Sequence, residues 1–64
     1  MSEKLKAKAA RIQAGLTQEE LADRIGKSAA TLVAWENGKI SPRIDDATKY
    51  AEAIGFRLED IYFG

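Results

Sequence analysis

The sequence predicts an all-α fold, a compact bundle of five short helices, from three observations. Apolar residues recur at spacings of three and four along most of the chain. Four of the five glycines, Gly15, Gly26, Gly38 and Gly55, cut it into pieces of helical length. No piece reads as a strand, and there is no internal repeat, low-complexity segment or linker, so residues 1–64 are expected to form one domain.

The first piece carries Leu5, Ala9, Ile12 and Leu16 at spacings of four, three and four, the expected core stripe of a helix that Gly15 ends. Thr17-Gln18-Glu19-Glu20 then forms a capping box, in which the Thr17 hydroxyl and the Glu20 carboxylate can satisfy backbone N–H groups at a helix start. This second helix turns Leu21, Ala22 and Ile25 inward and stops at Gly26. Ser28 caps a third helix running through Asn37, which Gly38 closes. Ser41-Pro42 places an N-cap residue before a proline at the first helical position, so a fourth helix is expected from there, with Ile44, Ala47, Ala51 and Ile54 as its stripe. Tyr50 is expected to be half-buried on it. The remaining Phe56–Phe63 segment is read as a short fifth helix with Leu58, Ile61 and Tyr62 on one side.

Composition bounds the function. With 64 residues, 45% of them hydrophobic and 31% charged, the chain is too apolar to be disordered and has room for a single core. The absence of Cys and His excludes disulfides, thiolate or imidazole metal sites and nucleophiles of either type. The carboxylates Glu19, Glu20, Asp23, Asp45 and Asp46 lie at or near helix starts, where the dipole favours them, so neither catalysis nor a cofactor is assigned. No apolar run approaches a membrane span and none of signal-peptide type follows Met1, so a cytoplasmic protein without a membrane partner is expected. Net charge is zero but uneven. Residues 1–43 hold eight basic against five acidic groups, and residues 44–64 hold two against five. The basic excess therefore lies in the part that contains the most informative segment.

That segment is residues 18–37, two short helices separated by about three residues with Gly in the turn. Leu21 and Ile25 face inward, Ala22 is small where the second helix crosses closely, and Leu32 and Trp35 pack the second helix back onto the first. The run LTQEELADRIGKSAATLVAWENGKISP resembles the bacteriophage-repressor-like helix-turn-helix family of the Xre/Cro type. Leu16–Ala22 and Trp35–Lys39 are the most diagnostic parts, and the resemblance spans nearly the whole chain.

The resemblance implies a domain that binds double-stranded operator DNA, usually an inverted repeat, as a homodimer with its third helix in the major groove. Matched by position, Gln18 would reach the DNA backbone from the start of helix two, and Asn37, Lys39 and Arg43 from beyond helix three. Lys27 and Ser28 stand at the start of helix three, where free N–H groups suit phosphate oxygens. Counting Lys27, Lys39 and Arg43 from two protomers gives about six neutralised phosphates. The resemblance also places Arg11 and Glu36 as a partly buried ion pair. At 100° per residue, helix three is expected to turn Leu32, Trp35 and Ser28 to one side and Ala30, Val33, Ala34 and Asn37 to the other. Positions 29, 30 and 34, where the family commonly carries Gln, Arg, Lys or Ser, are Ala29, Ala30 and Ala34 here. Alanine can touch a thymine methyl but cannot make the bidentate bonds that read adenine or guanine, so Thr31 and Asn37 are the remaining polar candidates. The apolar C-terminal residues Phe56, Leu58, Ile61, Tyr62 and Phe63 exceed what five helices are expected to hide, which makes them the expected dimer surface.

Two functions follow. One is a sequence-specific transcriptional regulator of phage-repressor or mobile-element type, a class that includes restriction-controller and antitoxin roles. The other is a protein-interaction module or antitoxin-like partner on the same fold, favoured by the neutral net charge and the Ala30-Val33-Ala34 surface.

Overall fold

A computed structural model describes residues 3–64. In chain order it contains strand β1 (Leu5–Lys6), helices α1 (Ala7–Gln13), α2 (Gln18–Ile25), α3 (Ala29–Glu36) and α4 (Ile44–Ala53), a 3-10 turn (Leu58–Asp60) and strand β2 (Ile61–Tyr62). There are four α-helices among the described residues, not five. The expected fifth helix is a single 3-10 turn that runs into β2, and β2 pairs in parallel with β1, Leu5 opposite Ile61 and Lys6 opposite Tyr62. Two-residue strands are too short to show alternation in a sequence, and their pairing brings together positions from opposite ends of the chain.

The stripe expected on the first helix is also corrected. Ala9 is exposed, Ile12 is 58% exposed and Leu5 sits on the strand, whereas Ala7, Ala10 and Arg11 are buried. The buried face keeps the helical spacing of three and four, but small residues and a paired arginine occupy it. Of the expected set, Leu16 packs on the core.

The capping box is present as read: Thr17 Oγ1 accepts from the Glu20 backbone N–H at 3.0 Å, and Glu20 Oε1 accepts from the Thr17 N–H at 2.9 Å. Gly26 ends α2 in the left-handed region at φ 73°, and Ser28 caps α3 through the Thr31 N–H. Helix α4, however, starts at Ile44 with Arg43 as its uncapped N-cap residue, so Ser41 and Pro42 lie in the preceding loop. Asp45 and Asp46 in its first turn complement the dipole there. Ile44 faces out at 73% exposure, while Ala47, Ala51 and Ile54 are buried as expected.

The core joins Leu21, Ala22, Leu32, Trp35, Ala51, Ile54 and Ile61 around Tyr50, which is fully buried and not half-buried. Phe63 meets the Tyr50 ring edge-on at 5.0 Å between centroids and the Trp35 ring at 6.3 Å. The C-terminal apolar residues are thus largely part of the core: Ile61 is buried, Phe56, Leu58 and Phe63 are half-buried, and only Tyr62 is exposed.

Candidate DNA-binding face

The face is built on α3, and α3 is held by one carboxylate. Glu36, buried at its C-terminal end, accepts four hydrogen bonds: from Arg11 Nε at 2.8 Å, Arg11 Nη2 at 3.2 Å, Gln18 Nε2 at 3.0 Å and the Tyr50 hydroxyl at 2.5 Å. Arg11 also donates to the Leu16 carbonyl at 2.8 Å. Residues from α1, α2 and α4 therefore converge on α3 through a single side chain. Burial alone pushes the Glu36 carboxyl upward, but the bonds from Arg11, Tyr50 and Gln18 outweigh it and hold it below the usual glutamate range. The same hydrogen bond to Glu36 raises Arg11, and burial followed by the Glu36 bond raises the Tyr50 hydroxyl far above its ordinary value. Among the described residues no buried side-chain polar atom lacks a partner.

With its inner side fixed through Leu32 and Trp35, α3 turns Ala30 and Val33 to solvent and leaves Ala29, Thr31 and Ala34 half-buried. Ser28 does not share the inner side with Leu32 and Trp35: it is the extended N-cap residue, so the helical projection does not reach it, and it is exposed, its hydroxyl 2.9 Å from that of Thr31 and bonded to it. Asn37 is exposed, and its Oδ1 accepts from the Lys39 N–H at 3.1 Å, so its amide shapes the turn after α3. Gly38 follows at φ 80°, and a Cβ there would stand 3.1 Å from the Gly64 Cα. Lys39 and Arg43 are exposed and enter no salt bridge among the described residues. Lys27 differs: its Nζ lies 3.5 Å from Asp46 Oδ1 on α4.

Sequence reasoning identified the Arg11–Glu36 pair but missed Gln18 and Tyr50 as its partners, because those contacts cross from one helix to another at unrelated spacings. Lys6 and Lys8 line a depression together with Gln18, Val33, Glu36, Asn37 and Gly64, a place that only the β1–β2 pairing and the packing of α1 reveal.

Comparison with known proteins decides the family. A model described as Helix-turn-helix (HTH_3) matches residues 8–61. The chain belongs to the Xre/lambda-repressor-like helix-turn-helix family. Relatives named as uncharacterized HTH-type transcriptional regulators occur in archaea. One from Methanothermobacter thermautotrophicus is 45% identical over 53 residues, covering 81% of this chain and 77% of the relative. One from Methanocaldococcus jannaschii is 45% identical over 47 residues, covering 73% and 71%. One from Archaeoglobus fulgidus is 40% identical over 52 residues, covering 81% and 74%. No solved structure matches the chain. In this helix-turn-helix protein, α2 and α3 are the two helices of the motif, and no helix among the described residues is long and apolar enough to cross a membrane.

Proposed function

We propose that this helix-turn-helix protein is a cytoplasmic, sequence-specific transcriptional regulator that binds double-stranded operator DNA and represses from it as a homodimer. The observation that carries this reading is the solvent face of α3: Ala30 and Val33 lie open on a helix fixed from behind, with Lys39 and Arg43 exposed just beyond its end. A helix of this size fits the major groove of B-DNA. Residues 18–37 are the reading unit. Ala29, Ala30, Thr31, Val33 and Ala34 meet base edges, while Gln18, Lys27, Ser28, Asn37, Lys39 and Arg43 meet the backbone.

Two copies joined through their C-terminal regions would place their α3 helices about 34 Å apart, matching an inverted repeat with one turn between half-sites. Leu58 and Phe63 remain half-buried beside the exposed Ile44 and the half-buried Pro42, so apolar surface is available there despite the burial of Ile61. Selection of bound sequences from a random duplex pool tests the reading. Enrichment of an inverted repeat supports it, and saturation of that site by a single protomer in sedimentation counts against the dimer.

A second reading keeps the fold and replaces DNA with a protein partner. Val33, 40% exposed beside Ala30, favours it, since together they offer apolar surface with little hydrogen-bonding capacity. No enrichment in the selection would turn the assignment to such an interaction module or antitoxin-like partner.

A further inference from the structure

We infer that Asp46, in the first turn of α4, is a built-in counter-charge that cancels Lys27 at the turn of the helix-turn-helix unit and so lowers the affinity of the protein for any DNA backbone laid across that turn. The inference rests on the DNA-binding reading and adds to it a residue that acts through Lys27 from a helix outside residues 18–37.

Both ends of the contact are fixed by the fold. Lys27 follows Gly26, the left-handed residue that ends α2, and its backbone N–H donates to the Ala22 carbonyl at 2.9 Å. Ser28, the N-cap of α3, comes next, so the backbone of Lys27 is held between the two helices. From there its Nζ reaches to 3.5 Å from Asp46 Oδ1. Asp46 stands where the α4 dipole favours a carboxylate. The pair is also exclusive. Asp23 and Arg24 at the end of α2, and Arg43 and Lys49 on either side of Asp46 along α4, are exposed and enter no salt bridge among the described residues.

The two charges sum to zero and stand much closer together than a Debye length, which is about 10 Å at 0.1 M salt. A phosphate that meets Lys27 therefore also meets Asp46. If the ammonium swings to the phosphate, the carboxylate is left beside the duplex without its cation. If the ammonium stays, its charge remains compensated by Asp46. In both geometries Lys27 touches the backbone as part of a neutral locus and adds nothing to the set of charges that neutralise phosphates. Of the three cations counted from the sequence, Lys39 and Arg43 are left.

Asp45 supplies the control. It precedes Asp46 in the same first turn, carries the same charge, is exposed and enters no salt bridge among the described residues. Asp45→Asn and Asp46→Asn change the net charge and the dipole interaction of α4 alike, and only the second frees Lys27.

The test is the salt dependence of affinity for a selected duplex and for a scrambled one. It is measured on the full chain for the wild type, Asp45→Asn, Asp46→Asn, Asp46→Glu and Asp46→Asn/Lys27→Ala. A partly exposed pair contributes little to stability, so every variant should fold, with urea midpoints as the check. Freeing Lys27 in each of two protomers neutralises about two more phosphates, so Asp46→Asn should steepen the slope of log affinity on log salt by about 1.8 relative to Asp45→Asn. Its gain in affinity should be equal on the two duplexes and grow about sixtyfold for each tenfold fall in salt. Asp46→Glu keeps a carboxylate on α4 and should keep the wild-type slope, and the Lys27→Ala background should abolish the steepening. An Asp46→Asn slope equal to that of Asp45→Asn overturns the inference and leaves the DNA-binding reading standing. A loss of affinity without steepening does the same, since that is the signature of a structural brace. A wild type that binds no duplex at all overturns both.

Discussion

Arg11 grips Glu36 across the domain through two hydrogen bonds, Nε to Oε2 at 2.8 Å and Nη2 to Oε1 at 3.2 Å. The pair ties α1 to the end of α3, and both residues are buried. A bidentate contact of this kind fixes orientation as well as distance, because the guanidinium is planar and rigid.

Removing one partner should therefore be costly. Arg11→Met leaves the Glu36 carboxylate buried without its cation, and a broken buried pair costs about 3–5 kcal/mol. Domains of this size have stabilities of the same order, so Arg11→Met should be largely unfolded at room temperature in a urea titration. Arg11→Met/Glu36→Leu should recover part of the loss, since no charge is then stranded. Wild-type midpoints for Arg11→Met and Glu36→Gln would contradict the burial of the pair.

Acid should act through the same carboxylate. Glu36 is held below the usual glutamate range in the folded protein, so the folded state binds its proton less readily than the unfolded chain. Its contribution is fully present above the ordinary glutamate value, around pH 4, and is lost as pH falls through the lower folded value. Urea midpoints should be constant above that value and decline below it, and Tyr50→Phe should reduce the depression by removing one of the bonds that cause it. A folded-state titration of Glu36 above the usual range, followed by carbon NMR, would reverse the sign.

The helix-turn-helix unit was legible because its signals are local. Thr17 with Glu20, Gly26, and Ser28 before an apolar run each mark a boundary within a few residues, and each boundary is where the sequence placed it. Residues that report only on distant partners were not legible. Ile12 looks like a core residue by size but is exposed, while Ala7 and Ala10 take the core positions and Arg11 is drawn in by Glu36. Ile61 was read onto a helix, yet its backbone pairs with Leu5 at the other end of the chain. The same limit hid the position of Lys6 and Lys8 beside α3, which depends on that pairing.

The C-terminal segment should then be a stability element. Phe63 packs edge-on against Tyr50 and near-perpendicular to Trp35, and β2 sits between it and the 3-10 turn. Phe63→Ala removes a half-buried ring and should cost about 1.5–3 kcal/mol. The near-ultraviolet circular dichroism of Trp35 and Tyr50 should weaken while the far-ultraviolet helix signal persists at low temperature. An unchanged near-ultraviolet spectrum would place the ring outside the core.

The alanine side of α3 sets how any sequence preference must arise. Ala29, Ala30 and Ala34 carry no side-chain donors or acceptors, and the Thr31 hydroxyl is already bonded to Ser28. Preference should therefore rest on thymine methyl contacts and groove shape, with the backbone supplying most of the affinity. Lys39→Ala removes an exposed cation, so it should weaken all sequences alike and flatten the salt slope by about one unit for each phosphate lost. Ala34→Gln adds a side chain able to form two hydrogen bonds with adenine, so it should change the preferred bases and leave the slope nearly untouched. Replacing thymine with uracil at the preferred positions deletes only the methyl group, and a loss of affinity there would locate the contact. If every replacement leaves affinity unchanged and the salt slope is shallow, the open side of α3 is a protein-binding surface and the DNA assignment fails.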